Sequence, residues 1–339
     1  MECYKSENVT TTTKIAGFDL DGTLICTKSK RRFPKDKNDW QLISNKVAPV
    51  LNRLHNTGYT ILVFTNQKNL EKRLSKENFK EKCMNIQRLL GVPVIFYASL
   101  ENNYMRKPFP GMFKLHMREH PFSREDSFYV GDAWSKTECF SDSDACFAHN
   151  CGVRFYKAEE FFSLADPKPF HIPRKRRFAK DPHFVKNQLK LSEFISDKKY
   201  LFMVGPPASG KTTFCQKYLK KFMRLSKDNY NTKAQYRNII QENISERLVF
   251  DNTNSGIASR EAIERLLPDD ASIGYIVRVI PKEKAMYLNR YRYSITHGKA
   301  TLLPAVAFHA SYKRMKLPEG PNVLTLDYSW IGKLMKFYC

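Results

Sequence analysis

Lys14-Ile-Ala-Gly-Phe-Asp-Leu-Asp-Gly-Thr23 begins as a short apolar run and ends in two carboxylates two residues apart. The apolar run predicts a buried β-strand, and the end of that strand would place Asp19 and Asp21 facing one pocket. Two such carboxylates can share Mg²⁺, which lowers the repulsion between a carboxylate and a phosphate group. Asp19 could then attack phosphorus and form an aspartyl-phosphate, while Asp21 handles the proton. An isolated Asp-x-Asp pair is weak evidence, but Asp-x-Asp-Gly-Thr at a strand end is much stronger.

The residues that follow alternate between apolar strands and one-faced helices. Further strands are predicted at 60–65, 94–97 and 127–131, with helices between them that end at Gly58 and Gly91. A second alternating pattern starts at Tyr200 and closes near Leu326. The fold class predicted is therefore α/β, in two domains that are each a mainly parallel sheet with helices on both faces.

Polar residues follow several of the predicted strands in the first pattern. Thr65 and Asn66 end the second strand and could bind phosphate oxygens. Lys107, in Arg106-Lys107-Pro108, could neutralise the charge of an intermediate. Asp132 ends a later strand and could hold the metal, with Asp144 nearby. Together with Asp19 and Asp21 these residues predict a phosphate-transfer site at one edge of a sheet.

The second pattern opens on a glycine-rich loop between an apolar strand and a predicted helix. This loop matches G-x-x-x-x-G-K-T, and its backbone N–H groups and the helix N-terminus would cradle the phosphates of ATP. Lys211 would neutralise the β- and γ-phosphates and Thr212 would ligate Mg²⁺. The nucleotide-binding residues predicted here are Gly205, Pro206, Pro207, Ala208, Ser209, Gly210, Lys211, Thr212 and Thr213.

A kinase for hydroxyl groups also needs a carboxylate to take the hydroxyl proton and a cation over the leaving phosphates. Asp228, beyond the P-loop helix, could supply the carboxylate, and Asp251 ends the next strand. Arg290 or Arg292, on a very basic predicted helix, could supply the cation. Each of these residues is weak evidence alone, since an isolated Asp is usually a surface or capping residue.

The overall charge points to a polyanionic partner. Lys and Arg total 57 against 34 acidic residues, a formal net charge of +23. No apolar run reaches the ~18 residues that span a bilayer, so nucleic acid is preferred to a membrane. Eight cysteines without a C-x-x-C pair favour reduced thiols inside a cell over zinc or disulfides.

The chain is divided into four segments on these patterns. Residues 1–12 are expected to be a flexible tail, 13–166 a phosphatase domain, 167–190 a basic linker with prolines, and 191–339 a P-loop kinase domain. The cluster Arg174–Arg177 within the linker could be a nuclear localisation signal, a nucleic-acid contact or a solvated run. Nuclear residence is expected if the source is eukaryotic, and cytoplasmic residence otherwise.

The order of motifs in the first half resembles the haloacid-dehalogenase phosphohydrolase superfamily. The stretches Phe18–Ile25, Phe64–Gln67, Arg106–Pro108 and Phe128–Asp132, followed by a P-loop half, resemble more closely the eukaryotic polynucleotide kinase/3′-phosphatase family. The resemblance implies a haloacid-dehalogenase-like phosphatase fold joined to a P-loop kinase fold. It also implies DNA ends with 3′-phosphate and 5′-hydroxyl groups as substrates, a monomer, and ligase or other repair proteins as partners.

The resemblance carries roles to individual residues. Asp19 would be the nucleophile, Asp21 the general acid and base, and Asp132 would complete the Mg²⁺ site. Asp228 would activate the 5′-hydroxyl group, and Arg290 or Arg292 would be the lid arginine. The N-terminal fork-head-associated domain of animal members is not expected, because Asp19 lies almost at the start. Lys68–Arg73 and Lys227 also depart from the family's usual residues.

Three alternatives remain open from the sequence. The same chemistry could act on RNA ends, since no RNA-recognition motif separates the two polymers. Both folds could serve small metabolites, although such an enzyme has no need of a charge of +23. A non-catalytic nucleic-acid scaffold is disfavoured, because Asp19, Asp21, Lys107, Asp132 and Lys211 are all intact.

Overall fold

The computed structural model describes residues 1–6, 9–72, 74–172 and 184–326. The chain forms two compact units, the first built on Met1–Lys175 and the second on Arg176–Tyr293 with Ala300–Met335. The cluster Arg174–Arg177 lies outside the described residues. Among the described residues, no helix combines the length and apolar character that crossing a bilayer requires.

The first unit is a six-stranded sheet with helices on both faces. Its strands are β1 (Glu2–Lys5), β2 (Lys14–Phe18), β5 (Tyr59–Asn66), β6 (Val94–Ser99), β7 (Phe128–Gly131) and β8 (Arg154–Lys157), and a separate ribbon pairs β3 (Ile25–Cys26) with β4 (Gln41–Leu42). The order β1-β6-β5-β2-β7-β8 puts β2 at the centre, and every pair is parallel except β1 with β6. The helices are α1 (Val47–Asn56), α2 (Lys76–Leu90), α3 (Gly111–Glu119), α4 (Ser143–Cys151) and α5 (Ala158–Ser163).

Two hydrophobic clusters cover the two faces of this sheet. One cluster joins residues of α1, α2 and α5 to one side of the strands. The other joins residues of α3 and α4 to the opposite side. Because strands covered on both faces bury every side chain, β5 and β6 read as continuous apolar runs rather than as alternating ones. The predicted α/β fold is confirmed.

The expectation of a flexible tail over residues 1–12 is wrong for its first part. β1 pairs antiparallel with β6, with Glu2 opposite Ala98 and Lys5 opposite Ile95. The ring of Tyr4 lies 6.0 Å from that of Phe79 on α2. The largely polar composition of these residues concealed the strand, because an edge strand needs only one apolar side chain and a partner edge to pair with.

The second unit is a five-stranded sheet in which all pairs are parallel. The order is β10-β11-β9-β12-β13, from β9 (Tyr200–Val204), β10 (Met223–Leu225), β11 (Leu248–Phe250), β12 (Ile273–Val277) and β13 (Val323–Thr325). The helices are α6 (Phe184–Ser196), α7 (Lys211–Tyr218), α8 (Lys233–Glu242), α9 (Ile257–Glu264), α10 (Lys282–Ile295) and α11 (Ala305–Lys313). Since α6 begins at Phe184, the predicted end of the linker at 190 lies several residues too late.

The edge strand β1 gives a test of the fold. Tyr4→Ala removes an aromatic contact of about 1 kcal/mol, so amide exchange of residues 2–5 should accelerate about fivefold. Hydrogen–deuterium exchange with mass spectrometry measures this rate. Lys14→Ala, an exposed residue on β2, should leave these amides unchanged. Immediate exchange of residues 2–5 in the unaltered protein would contradict the strand.

Candidate active sites

The first site lies at the edge of the sheet where β2, β5 and β7 end. The carboxyl ends of parallel neighbours meet at one edge, and Asp19, Thr65 and Asp132 follow or end these three strands. The N–H of Asp19 donates to the carbonyl oxygen of Val130 at 2.9 Å, which joins the end of β2 to β7. The sheet topology alone therefore brings together residues that are more than a hundred positions apart.

A buried lysine joins two of the carboxylates. Lys107 Nζ lies 2.7 Å from Asp19 Oδ1, 2.7 Å from Asp144 Oδ1 and 2.9 Å from the hydroxyl oxygen of Tyr129. Its side chain is 2% exposed. Burial lowers the pKa of Lys107, but the charges of Asp144 and Asp19 outweigh burial and leave that pKa raised. The lysine is therefore held charged inside the protein, as a neutralising group requires.

Asp19, Asp132 and Asp144 form a cluster suited to a divalent cation. One carboxylate oxygen of each lies within 4.8 Å of the others. Asp132 Oδ1 is buried and has no hydrogen-bond partner. Burial, followed by the charge of Asp144, raises the pKa of Asp132 to about 7. Burial also raises the pKa of Asp19, against the effect of Lys107. A hard cation would satisfy the unpartnered oxygen and relieve this crowding of negative charge.

The three carboxylates of the cluster differ in their hydrogen-bond partners and in burial. Asp144 already accepts from Lys107 and, at 3.1 Å, from the N–H of Ala133. Asp144 is also almost fully buried. Asp19 and Asp132 are therefore the carboxylates best placed to ligate Mg²⁺, and Asp144 orients Lys107.

The structure does not bring the carboxylate of Asp21 into this cluster, so the expectation that it shares the metal is not met. Asp21 Oδ2 accepts from Gln67 Nε2 at 2.6 Å, and Asp21 Oδ1 lies 3.8 Å from Lys82 Nζ. β2 ends at Phe18, so Asp21 lies beyond the regular strand, in the turn that continues through Gly22 with φ +85°. The alternation of side chains that predicted a shared pocket applies only while the strand continues.

The other predicted residues of this half lie around the cluster. Thr65 is buried and its hydroxyl group accepts from Gln67 Nε2 at 2.9 Å. The side chain of Asn66 holds the backbone of Lys107, accepting its N–H at 3.0 Å and donating to its carbonyl oxygen at 3.2 Å. Burial lowers the pKa of Arg106, and its Nη1 is buried without a hydrogen bond. Asn66 therefore positions the lysine through the main chain.

The second site is the loop between β9 and α7. Gly205 has φ +151°, Ala208 +57° and Gly210 +86°, so the backbone curls over residues 205–210. A Cβ on Gly205 would lie 2.2 Å from the carbonyl oxygen of Arg278. Pro206, Pro207 and Ser209 complete the loop, and Thr212 and Thr213 are exposed in the first turn of α7. This is the cradle that the sequence predicts, with the helix N-terminus aimed at it.

Lys211 Nζ turns back onto this loop. It donates to the carbonyl oxygens of Pro206 at 2.7 Å and Gly205 at 3.0 Å. Burial lowers the pKa of Lys211 to about 8, and the charges of Arg278 and Arg292 act in the same direction. An anion such as a phosphate would favour the charged ammonium here.

The remaining kinase residues divide between the sheet edge and α10. Asp251 is buried at the end of β11 and pairs with Arg224 Nη1 at 2.8 Å. Asp228 is exposed in a short turn after β10. The N–H of Lys227, the residue before Asp228, donates to Asn252 Oδ1 at 2.7 Å. Arg290 and Arg292 lie on α10, and of the two Arg292 is the one whose charge lowers the pKa of Lys211.

The comparisons with known proteins agree with this arrangement. The family model of polynucleotide kinase 3 phosphatase matches residues 14–162. A bifunctional polynucleotide phosphatase/kinase of Schizosaccharomyces pombe is 32% identical over 318 residues, which cover 91% of this chain and 77% of that protein. The chain belongs to the bifunctional polynucleotide phosphatase/kinase family.

Two further relatives each match less than half of this chain. An uncharacterised 20.8 kDa protein of Autographa californica nuclear polyhedrosis virus is 42% identical over 160 residues, covering 45% of this chain and 87% of that protein. A polynucleotide 3′-phosphatase of Arabidopsis thaliana is 31% identical over 177 residues, covering 46% of this chain and 25% of that protein.

Four functional residues were not found from the sequence. Gln67, Lys82 and Tyr129 contact the first site, and Arg278 donates to the carbonyl oxygen of Ser209 in the P-loop. Arg278 directly follows β12, like the predicted residues, and that position is a usable signal, whereas Tyr129 lies within β7. Lys82 lies on the buried side of α2, where a sequence pattern gives no warning of a charged group.

Gly22 gives a test of the metal site with a matched control. Gly22 and Gly58 have φ of +85° and +86°, so alanine at either position should cost about 1–2 kcal/mol of stability. A Cβ on Gly22 would lie 2.2 Å from Asp132 Oδ2, whereas a Cβ on Gly58 meets nothing within 4 Å. Gly22→Ala should weaken Mg²⁺ binding at least about tenfold, and Gly58→Ala should not. Calorimetric titration measures the Mg²⁺ affinity of both variants. Equal affinities would show that Asp132 does not bind the metal.

Proposed function

We propose that this chain repairs nucleic-acid ends by removing a 3′-phosphate in its first unit and adding a 5′-phosphate from ATP in its second. The observation that carries the proposal is the group formed by Asp19, Lys107 and Asp132, a partly exposed nucleophile beside a buried, charged lysine and an unpartnered carboxylate oxygen. Family membership and the P-loop geometry support the second activity.

The phosphatase reaction follows from the positions of two aspartates. Asp19 attacks phosphorus, the bond from phosphorus to O3′ breaks, and the carboxylic acid of Asp21 gives its proton to O3′. Water then attacks the aspartyl-phosphate, Asp21 takes the proton back, and inorganic phosphate leaves. Lys107 neutralises the charge of Asp19 and the phosphoryl group throughout. Mg²⁺ held by Asp19 and Asp132 would reduce the repulsion between the nucleophile and the phosphate.

The kinase reaction uses the edge of the second sheet. The 205–213 loop would hold the phosphates of ATP, with Lys211 to neutralise the β- and γ-phosphates and Thr212 to ligate Mg²⁺. Asp228 accepts the proton of the 5′-hydroxyl group, and its exposure leaves it open to a polymer end. Arg290 or Arg292, which both lie on α10, would supply the arginine over the transferred phosphate.

The charge of the chain supports a polymer substrate over a metabolite. A net charge of +23 favours contacts with several backbone phosphates at once, which a mononucleotide does not offer. Binding to an oligonucleotide should therefore weaken with salt at a slope of about 0.9 for each phosphate neutralised. DNA ends are preferred, with RNA ends as the alternative.

The two activities should separate by mutation. Asp19→Asn should reduce 3′-phosphate release at least about 10³-fold and leave 5′-phosphorylation near normal, because it removes the nucleophile of the first site and touches no residue of the second. Lys211→Ala should reduce 5′-phosphorylation at least about 10²-fold and leave 3′-phosphate release near normal. Both ends of a nicked duplex with 3′-phosphate and 5′-hydroxyl groups are followed in ATP and Mg²⁺. Loss of both activities in either folded variant would refute two independent sites.

The choice of polymer is settled by competition. Equimolar DNA and RNA oligonucleotides of the same sequence, each with a 3′-phosphate, are offered to the protein together with the free 3′-mononucleotide. Both polymers should be processed faster than the mononucleotide, because only polymers offer several backbone phosphates to a chain with a net charge of +23, and the faster of the two identifies the preferred polymer. Equal turnover of the mononucleotide would favour a metabolite substrate instead.

A further inference from the structure

Asp21 differs from the other carboxylates of the first site in that packing does not hold it. Its side chain is 51% exposed, whereas that of Asp144 is 1% exposed. A half-exposed aspartate samples several rotamers unless hydrogen bonds or charges select one. Among the contacts of the described residues, its carboxylate meets Gln67 and Lys82.

Gln67 is itself held in place by hydrogen bonds with three residues other than Asp21. Its N–H donates to the carbonyl oxygen of Ser99 at 2.8 Å, and its carbonyl oxygen accepts from the N–H of Leu70 at 3.2 Å. Its side-chain nitrogen donates both to Thr65 Oγ1 at 2.9 Å and to Asp21 Oδ2 at 2.6 Å. A carboxylate can only accept, so the nitrogen of the amide must face Asp21. One amide thus links Asp21 to the end of β5.

Lys82 approaches the other oxygen of the same carboxylate. It is 3% exposed on α2, a helix anchored in the core by Phe79, Cys83 and Ile86. A buried ammonium is stabilised by a nearby carboxylate, and Asp21, once its proton has gone to the leaving oxygen, supplies one with Oδ1 at 3.8 Å. This distance is too long for a hydrogen bond, so Oδ1 stays able to exchange a proton with a substrate.

We propose that Gln67 and Lys82 are positioning residues that aim the carboxyl group of Asp21 at the leaving 3′-oxygen. The inference rests on the proposed phosphatase function and adds to it the device that fixes the acid. Gln67 donates a hydrogen bond to Oδ2, and the charge of Lys82 attracts Oδ1. Together the two contacts select one rotamer of Asp21. The rotamer that results presents Oδ1 to the substrate. Without either residue Asp21 remains present but spends less time within the ~3 Å that proton transfer requires.

Replacing the leaving 3′-oxygen by sulfur distinguishes positioning of the acid from any other role of Gln67 or Lys82. An oligonucleotide with a 3′-O-phosphate needs a proton on the departing oxygen, whereas the same oligonucleotide with a bridging 3′-S-phosphorothiolate releases a stable thiolate. Both substrates make the same contacts with the protein. The rate of release of the 3′ end under single-turnover conditions reports only the step in which the bond to phosphorus breaks.

Gln67→Ala and Lys82→Met should each slow release from the 3′-O substrate about tenfold or more and release from the 3′-S substrate less than about threefold. Lys82→Arg, which keeps the charge, should restore part of the loss. Lys80→Met, an exposed lysine two residues earlier on the same helix, should change both rates less than about twofold. In an Asp21→Asn background, Gln67→Ala should cause little further loss, because no acid remains to be positioned.

Several results would overturn the inference. Equal loss on both substrates in a folded variant would assign Gln67 or Lys82 to substrate binding or structure, and so would a full further loss in the Asp21→Asn background. No loss on either substrate would leave the residues without a role in the reaction. A failure of the proposed function looks different, since the unaltered protein would then release no 3′ end. Asp21→Asn would slow both substrates equally if Asp21 were not the acid, and the inference would fall with that role.

Discussion

The buried ammonium of Lys107 is the interaction on which the phosphatase site depends. It lies among Asp19, Asp144 and the hydroxyl group of Tyr129, with hydrogen bonds of 2.7–2.9 Å. Removing a partner from a buried charge leaves the other uncompensated, at a cost of several kcal/mol. The lysine therefore makes it possible to bury a nucleophilic carboxylate next to a second one. Because Asp144 is occupied by this lysine, the oxygen of Asp132 is left for a cation.

The two sites carry opposite excess charge, and each lies at the carboxyl ends of parallel strands in its own sheet. The first gathers three carboxylates around one lysine, and burial raises the pKa values of Asp19 and Asp132. The second gathers cations around a loop of backbone dipoles, and burial lowers the pKa of Lys211 to about 8. Excess negative charge suits a divalent metal, and excess positive charge suits a polyphosphate. Each site is thus arranged for the ligand whose charge it lacks.

The sequence predicted what depends on strand ends and on short motifs. Asp19, Asp132 and the P-loop follow from apolar strands, because parallel strands of one sheet end at one edge. Lys107 lies in a loop after β6 and was predicted from its Arg106-Lys107-Pro108 motif. Tertiary neighbours could not be predicted in this way. Lys82 reaches the site from a helix, and β1 exists only because β6 offers an edge to pair with. The side-chain direction of Asp21 depends on a turn, for which alternation along a strand gives no rule.

That turn explains how two aspartates two residues apart can have different tasks. β2 ends at Phe18 and the chain turns over the next residues, so the side chain of Asp19 is 13% exposed beside Lys107 while that of Asp21 is 51% exposed. A nucleophile gains from burial beside a lysine, because water is excluded from its attack on phosphorus. An acid that must give a proton to the leaving oxygen and recover one from water needs access to solvent. The different exposures of Asp19 and Asp21 suit the two roles proposed for them, a nucleophile held beside Lys107 and an acid within reach of water.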